Sequence, residues 1–107
     1  MPKGYEVAQV AVKAERLRAA LPKHARIVAL DEHGEHLTTV QFAQLLKAET
    51  AFVIGGPDGL DPGVKKDAFL VLRLSSLTLP HALAQVVLME QLYRAATLLI
   101  GHPYHRE

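Results

Sequence analysis

Apolar positions in "EVAQVAVKAERLRAAL" recur every three or four residues. Val7, Val10, Ala14, Leu17 and Leu21 share one face, with charges on the other. This spacing predicts a helix over residues 6–21, stopped by Pro22. "RIVALD" is a short apolar run and reads as a strand, followed by "EHGEH" as a turn. "TTVQFAQLLKAE" returns to helical spacing, with Thr38 or Thr39 as N-cap and Phe42, Leu45 and Leu46 inward. "AFVIG" predicts a second strand. Asp61 and Pro62 form an N-cap and first helical position for a short helix. "FLVLRLS" contains a third strand. Pro80 opens a long helix, and Gly101 closes it at the C′ position.

The resulting order is α-β-α-β-α-β-α, with strands apolar on both faces. That pattern predicts an α/β fold in one domain, residues 1–107, with a parallel sheet covered by helices. Three strands make a thin sheet, so either the fold is minimal or a partner or further segment completes it. In such a sheet, ligands bind beyond the carboxyl ends of the strands. Three loops share that edge: the one after Leu30, "GGPDG" from Gly55 to Gly59, and "SSLTLPH" from Ser75 to His81. One convergent cleft is therefore expected.

Composition narrows the chemistry. Half of the residues are hydrophobic and 21% are charged, which excludes a disordered chain. With no Trp and few aromatic residues, the core must be mostly aliphatic. No cysteine is present, so disulfides, a thiolate nucleophile and cysteine-held metal clusters are excluded. That fits a cytoplasmic protein, and no secretory signal pattern is visible. The apolar segment Ala82 to Ile100 carries Gln85, Glu90, Gln91 and Arg94, which suits a buried helix and not a membrane span. Net charge is only +1, but residues 1–26 hold six basic side chains against two acidic ones. A basic end suits either a solvated helix face or an anionic partner such as RNA.

The glycine loop lacks the Gly-Lys-Ser/Thr of a phosphate-binding loop and is not a G-x-G-x-x-G fingerprint. Two readings stay open: a tight turn between strand and helix, or close backbone approach to a flat ligand. "SSLTLPH" is either a capped helix entry or a wrap around an apolar ligand group. The tail "GHPYHRE" gathers His102, Tyr104, His105 and Arg106. It reads as a frayed polar terminus, or as a set suited to base stacking, phosphate contact and proton movement. Neither His102 with His105 nor His33 with His36 has a third ligand at a recognised spacing, so no metal is expected.

"IGGPDGL", "LSSLTLPHALAQVVLMEQLYRA" and the terminal "HPYHRE", in that order, resemble the ribosomal RNA large subunit methyltransferase H family of the SPOUT class. "RIVALD" also stands where that family has a strand. The resemblance implies methyl transfer from S-adenosylmethionine to N3 of a pseudouridine in 23S rRNA of the assembled ribosome. It implies a homodimer, no metal and a trefoil knot formed by the C-terminal helix. It further implies cofactor contacts at Leu30, at Gly55, Gly56 and Gly59, and along Leu74, Ser75, Ser76, Leu77, Thr78 and Leu79. Tyr104, His105 and Arg106 would stand on the substrate side. His105 is then a candidate base, Tyr104 a stacking or hydrogen-bonding partner, and Arg106 a phosphate contact. The family's initial strand, helix and second strand have no counterpart before the first helix here. That departure leaves an alternative, a shortened relative that dimerises and binds the cofactor without methyl transfer. A small-ligand or metal-binding α/β module is the third reading.

Overall fold

The computed structural model describes residues 17–55 and 60–105. Most of the first expected helix, Gly56, Gly59 and Arg106 lie outside the described residues. The end of that helix is present as α1, Leu17–Ala20, and it stops before Pro22. The chain then runs through β1 (Arg26–His36), α2 (Thr39–Gln44), a 3-10 turn (Leu45–Lys47), β2 (Thr50–Ile54), α3 (Pro62–Asp67), β3 (Leu70–Arg73) and α4 (His81–Leu99). The strands form one parallel sheet in the order β2-β1-β3. This is the expected alternation, with β1 central.

Local chemistry accounts for the element ends. Thr38 caps α2 through a reciprocal pair: its Oγ1 accepts the Gln41 N–H at 3.1 Å, and Gln41 Oε1 accepts the Thr38 N–H at 2.9 Å. Asp61 Oδ1 accepts the Gly63 N–H at 2.7 Å, with Pro62 in the first turn of α3. Gly101, at φ 76°, ends α4. The His102 N–H reaches the Thr97 carbonyl at 2.9 Å and the Gly101 N–H reaches that of Leu98 at 3.2 Å. Those two bonds satisfy carbonyls that the last helical turn leaves open. Helix α2 is shorter than its apolar spacing suggested, because the chain tightens into the 3-10 turn after Gln44.

One expectation is corrected. "EHGEH" is not a turn that ends the strand. Leu30 and Glu35 both pair with Leu72, and His36 pairs with Arg73. Residues 31–34 bulge outward, and β1 then rejoins the ladder. The bulge closes through Asp31 Oδ1, which accepts the His33 N–H at 2.8 Å. Gly34 makes the return feasible: a Cβ there would lie 2.7 Å from the Leu72 carbonyl carbon and the Val71 oxygen. Only a residue without a side chain brings its backbone that close to β3.

Four successive β1 residues, Ile27 to Leu30, are buried, as a strand covered on both faces requires. On one face Val28, Leu30 and Leu72 pack with Phe42, Ala43 and Leu45, and with Leu88 and Ala95 of α4. Phe42 and Phe52 meet at 5.4 Å between ring centroids. Each such large side chain contributes about 1.5–3 kcal/mol by leaving water. The core is mostly aliphatic, as the composition required. Among the described residues, no helix is long and apolar enough to cross a membrane.

Candidate functional site

The carboxyl ends of the three strands enclose a cleft of about 560 Å³, within the roughly 300–1,000 Å³ usual for small-molecule sites. It lies where the strand order reverses: β1 connects through α2 to β2 on one side, and β2 then crosses through α3 to β3 on the other side of β1. Leu30, Gly55, Leu74, Ser75, Leu77 and Leu79 line it together. These residues come from three separate loops, so the structure brings most of the cofactor set named from sequence to one place. Ser76 and Thr78 are exposed and are not part of the lining. Thr78 instead donates its hydroxyl hydrogen to Glu32 Oε2 at 3.2 Å, tying the third loop to the β1 bulge.

The lining also includes groups not singled out from sequence, Asp31 and Glu32 of the bulge, Lys65 of α3 and Arg73 at the end of β3, together with His33, which was weighed only as a metal ligand. Asp31 and Glu32 directly follow the strand residue Leu30, so their position was a usable signal. Lys65 and Arg73 enter only through the crossover packing. Lys65 Nζ pairs with Asp31 Oδ2 at 2.5 Å. Arg73 Nη1 donates to the Glu32 carbonyl at 3.5 Å, while its buried Nε has no partner. The result is a cleft with leucine walls, two carboxylates at one rim and two cations beside them.

The Lys65 hydrogen bond, then the His33 N–H, hold the Asp31 carboxyl below its ordinary value of 3.8, although burial opposes them. A depressed folded value means that the stabilisation is complete above the ordinary carboxylate range. It is lost as pH falls through the depressed value. Lys65 is 40% exposed, so the screened pair contributes about 1 kcal/mol or less. Asp31→Asn is therefore expected to lower Tm slightly at neutral pH and to converge with the parent chain only as pH falls through that depressed value. Thermal melts across pH test this, and a difference that grew on acidification would contradict it.

Tyr104 and His105 form a second cluster, on the flank of α4. The Tyr104 ring meets Tyr93 edge-on at 4.7 Å, and the Arg94 guanidinium lies 4.9 Å from its centre. The Tyr104 hydroxyl donates to Glu90 Oε2 at 3.2 Å, and Arg94 Nη1 meets His105 Nδ1 at 3.3 Å. Burial raises the Glu90 carboxyl, but hydrogen bonds from Arg94, Gln91 and Tyr104 outweigh it and leave the group below its usual range. Among the described tail residues, neither Tyr104 nor His105 lines the cleft. The cluster begins six residues beyond Ala84, the last α4 residue of the lining, about 9 Å at helical rise. Among the described residues the two sets are thus separate. Among the described residues, no group of three or more His, Asp or Glu side chains is placed to hold a metal.

Comparison with known proteins gives these two sites a context. Residues 3–105 match the family model described as "Predicted SPOUT methyltransferase". The chain is 53% identical over 111 residues to a ribosomal RNA large subunit methyltransferase H of Herminiimonas arsenicoxydans, covering 96% of this chain and 71% of that one. It is 56% identical over 103 residues to the protein of the same name from Burkholderia thailandensis, covering 91% and 66%. Both relatives are longer than this chain. The match nevertheless runs through every strand, the cleft loops and the tail cluster, and on that extent the chain belongs to the SPOUT methyltransferase family, in the branch that includes the ribosomal RNA large subunit methyltransferases H.

Proposed function

We propose that this chain transfers a methyl group from S-adenosylmethionine to N3 of a pseudouridine in 23S rRNA, acting as a cytoplasmic homodimer on the assembled ribosome. The observation that carries the reading is the cleft, where Leu30, Gly55 and the 74–79 segment converge beside two carboxylates. The donor set fits the cofactor. Leucines suit the faces of an adenine, main-chain groups of the third loop suit its edge, and Asp31 and Glu32 complement the positive charge of the sulfonium and amino groups. Gly55 leaves room for the methionyl and ribosyl parts, and the family resemblance adds Gly56 and Gly59 to the same proposed contact. When bound, S-adenosylmethionine supplies an activated methyl group. What this chain's residues contribute is alignment and exclusion of water.

The dimer is supported by an exposed apolar stripe on α4: Leu83, Val86 and Met89, which are 47%, 63% and 40% exposed. A second copy laid antiparallel and centred on Val86 sets its Glu90 opposite Ala82. The tail cluster of one protomer then stands at the mouth of the other's cleft. Tyr104 and His105 reach the substrate by that route, with Arg106 following in sequence. The knot implied by family membership belongs to the same proposal.

Calorimetric titration with S-adenosylmethionine and S-adenosylhomocysteine, followed by methylation of ribosomes that lack the mark, tests the reading. Saturable binding with turnover is expected. Binding without turnover would favour the non-catalytic alternative. No binding by folded protein would sink both.

A further inference from the structure

The tail cluster constrains what His105 can do. Arg94 Nη1 stands 3.3 Å from His105 Nδ1. A guanidinium has five N–H donors and no acceptor. The Arg94 N–H therefore donates, and His105 Nδ1 accepts with its lone pair. In a neutral imidazole one nitrogen accepts and the other carries the hydrogen. The hydrogen of His105 is then on Nε2, the nitrogen that Arg94 does not engage.

Arg94 itself is held in place. Its Nε and Nη2 meet Glu90 Oε2 at 2.9 and 2.8 Å. Glu90 Oε1 accepts from Gln91 Nε2 at 2.7 Å, and Gln91 Oε1 accepts the Thr39 hydroxyl at 2.9 Å. The chain of bonds thus runs from α2 through α4 to the tail. At the Arg94 main chain, Thr97, only 1% exposed, donates to the Arg94 carbonyl at 2.6 Å. The Tyr104 ring covers one side of the guanidinium. Such anchoring fixes the direction of the N–H that faces His105.

From this geometry we infer that Arg94 is a positioning residue that commits His105 to donating a hydrogen bond through Nε2–H, so that His105 is not the general base. The inference rests on the reading that the tail faces the substrate. A donor is useful there. When the imide N3–H gives up its proton to solvent, negative charge spreads over the two flanking carbonyl oxygens. An N–H aimed at one of them stabilises that anion. The N3 lone pair then bonds to the methyl carbon, and the carbon–sulfur electrons stay on the sulfur as a neutral thioether.

Gln separates the two roles, because it donates from nearly the position of Nε2 and cannot act as a base. Methylation of unmarked ribosomes would be measured for H105A and H105Q, with cofactor binding measured alongside. H105A is expected to lower kcat about tenfold or more, and H105Q to recover to within about threefold of the parent chain. Equal losses of roughly 10²–10⁴-fold in both variants are the signature of a missing base and would overturn the inference. An unchanged H105A would instead remove the tail from the substrate side, a failure of the underlying reading. Two further measurements bear on Arg94. Nitrogen-15 spectra of histidine-labelled protein are expected to show Nδ1 unprotonated and Nε2 protonated, and the opposite tautomer would overturn the inference. The double variant R94Q/H105A is expected to be no slower than the slower single variant, whereas additive losses would break the proposed link.

Discussion

Gly34→Ala is expected to cost this chain much of its stability. A methyl group at that position would lie 2.7 Å from the Leu72 carbonyl carbon and the Val71 oxygen, and 2.8 Å from the Val71 carbonyl carbon. All three are backbone atoms of β3, so no rotamer change relieves the clash. Either β3 moves or the second stretch of pairing, at Glu35 and His36, opens. Moving β3 displaces Leu72, which is 2% exposed and belongs to the main core cluster. Overpacking of this kind costs roughly 1–3 kcal/mol and sometimes more. At about 4–8 °C per kcal/mol for a small domain, a fall in Tm of about 10 °C or more is expected. Gly63→Ala is the control. Among the described residues its added carbon would meet the Asp61 carboxylate oxygen, at 3.2 Å, the end of a side chain and not backbone, and its melt is expected to stay close to that of the parent. If Gly34→Ala also melted with the parent, the close approach of the bulge to β3 would be wrong.

Gly55→Val is expected to do the opposite, leaving the fold and removing the cofactor. Gly55 follows the last residue of β2 and lines the cleft with Leu30 and Leu74. A branched side chain there would fill space that the proposed ligand occupies. Affinity for S-adenosylhomocysteine is expected to fall roughly 100-fold or more, equivalent to about 3 kcal/mol, with little change in Tm. Calorimetry and a thermal melt on the same sample decide it. Unchanged affinity would take Gly55 out of the cofactor contact. The two variants thus separate two kinds of close approach: this chain's own strand at Gly34, and the proposed cofactor at Gly55.

Much of the cleft could be read before any coordinates. The stretch after Leu30, the glycine loop and the loop from Ser75 to His81 are expected on one edge because parallel strands put their carboxyl ends together. Leu30, Gly55, Leu74, Ser75, Leu77 and Leu79 meet there. The charged half of the same cleft was less legible. Asp31 and Lys65 are far apart in the chain, and only the crossover from β2 through α3 brings them into contact. The tail shows the same division. "HPYHRE" was recognisable as a set of residues with chemical use. Its docking on Glu90 and Arg94 was not, since it depends on how the chain turns back after Gly101.

By itself the sequence determined what short-range physics controls. Thr38 and Gln41, Asp61 and Pro62, and Gly101 each act over three or four residues, and each ends or begins an element where expected. Apolar runs flanked by such signals define strands and helices, and their alternation implies a parallel sheet. Tertiary structure decided the sheet order, the bulge in β1, the ion pairs of the cleft and the hydrogen-bonding partner of His105. Each of these depends on a contact between elements that no local pattern encodes. The bulge is the clearest case: "EHGEH" carries turn-forming residues, yet Glu35 and His36 rejoin the sheet because β3 offers its ladder to them. Local preference bends the chain at residues 31–34, and pairing with a strand more than thirty residues away sets where it goes next.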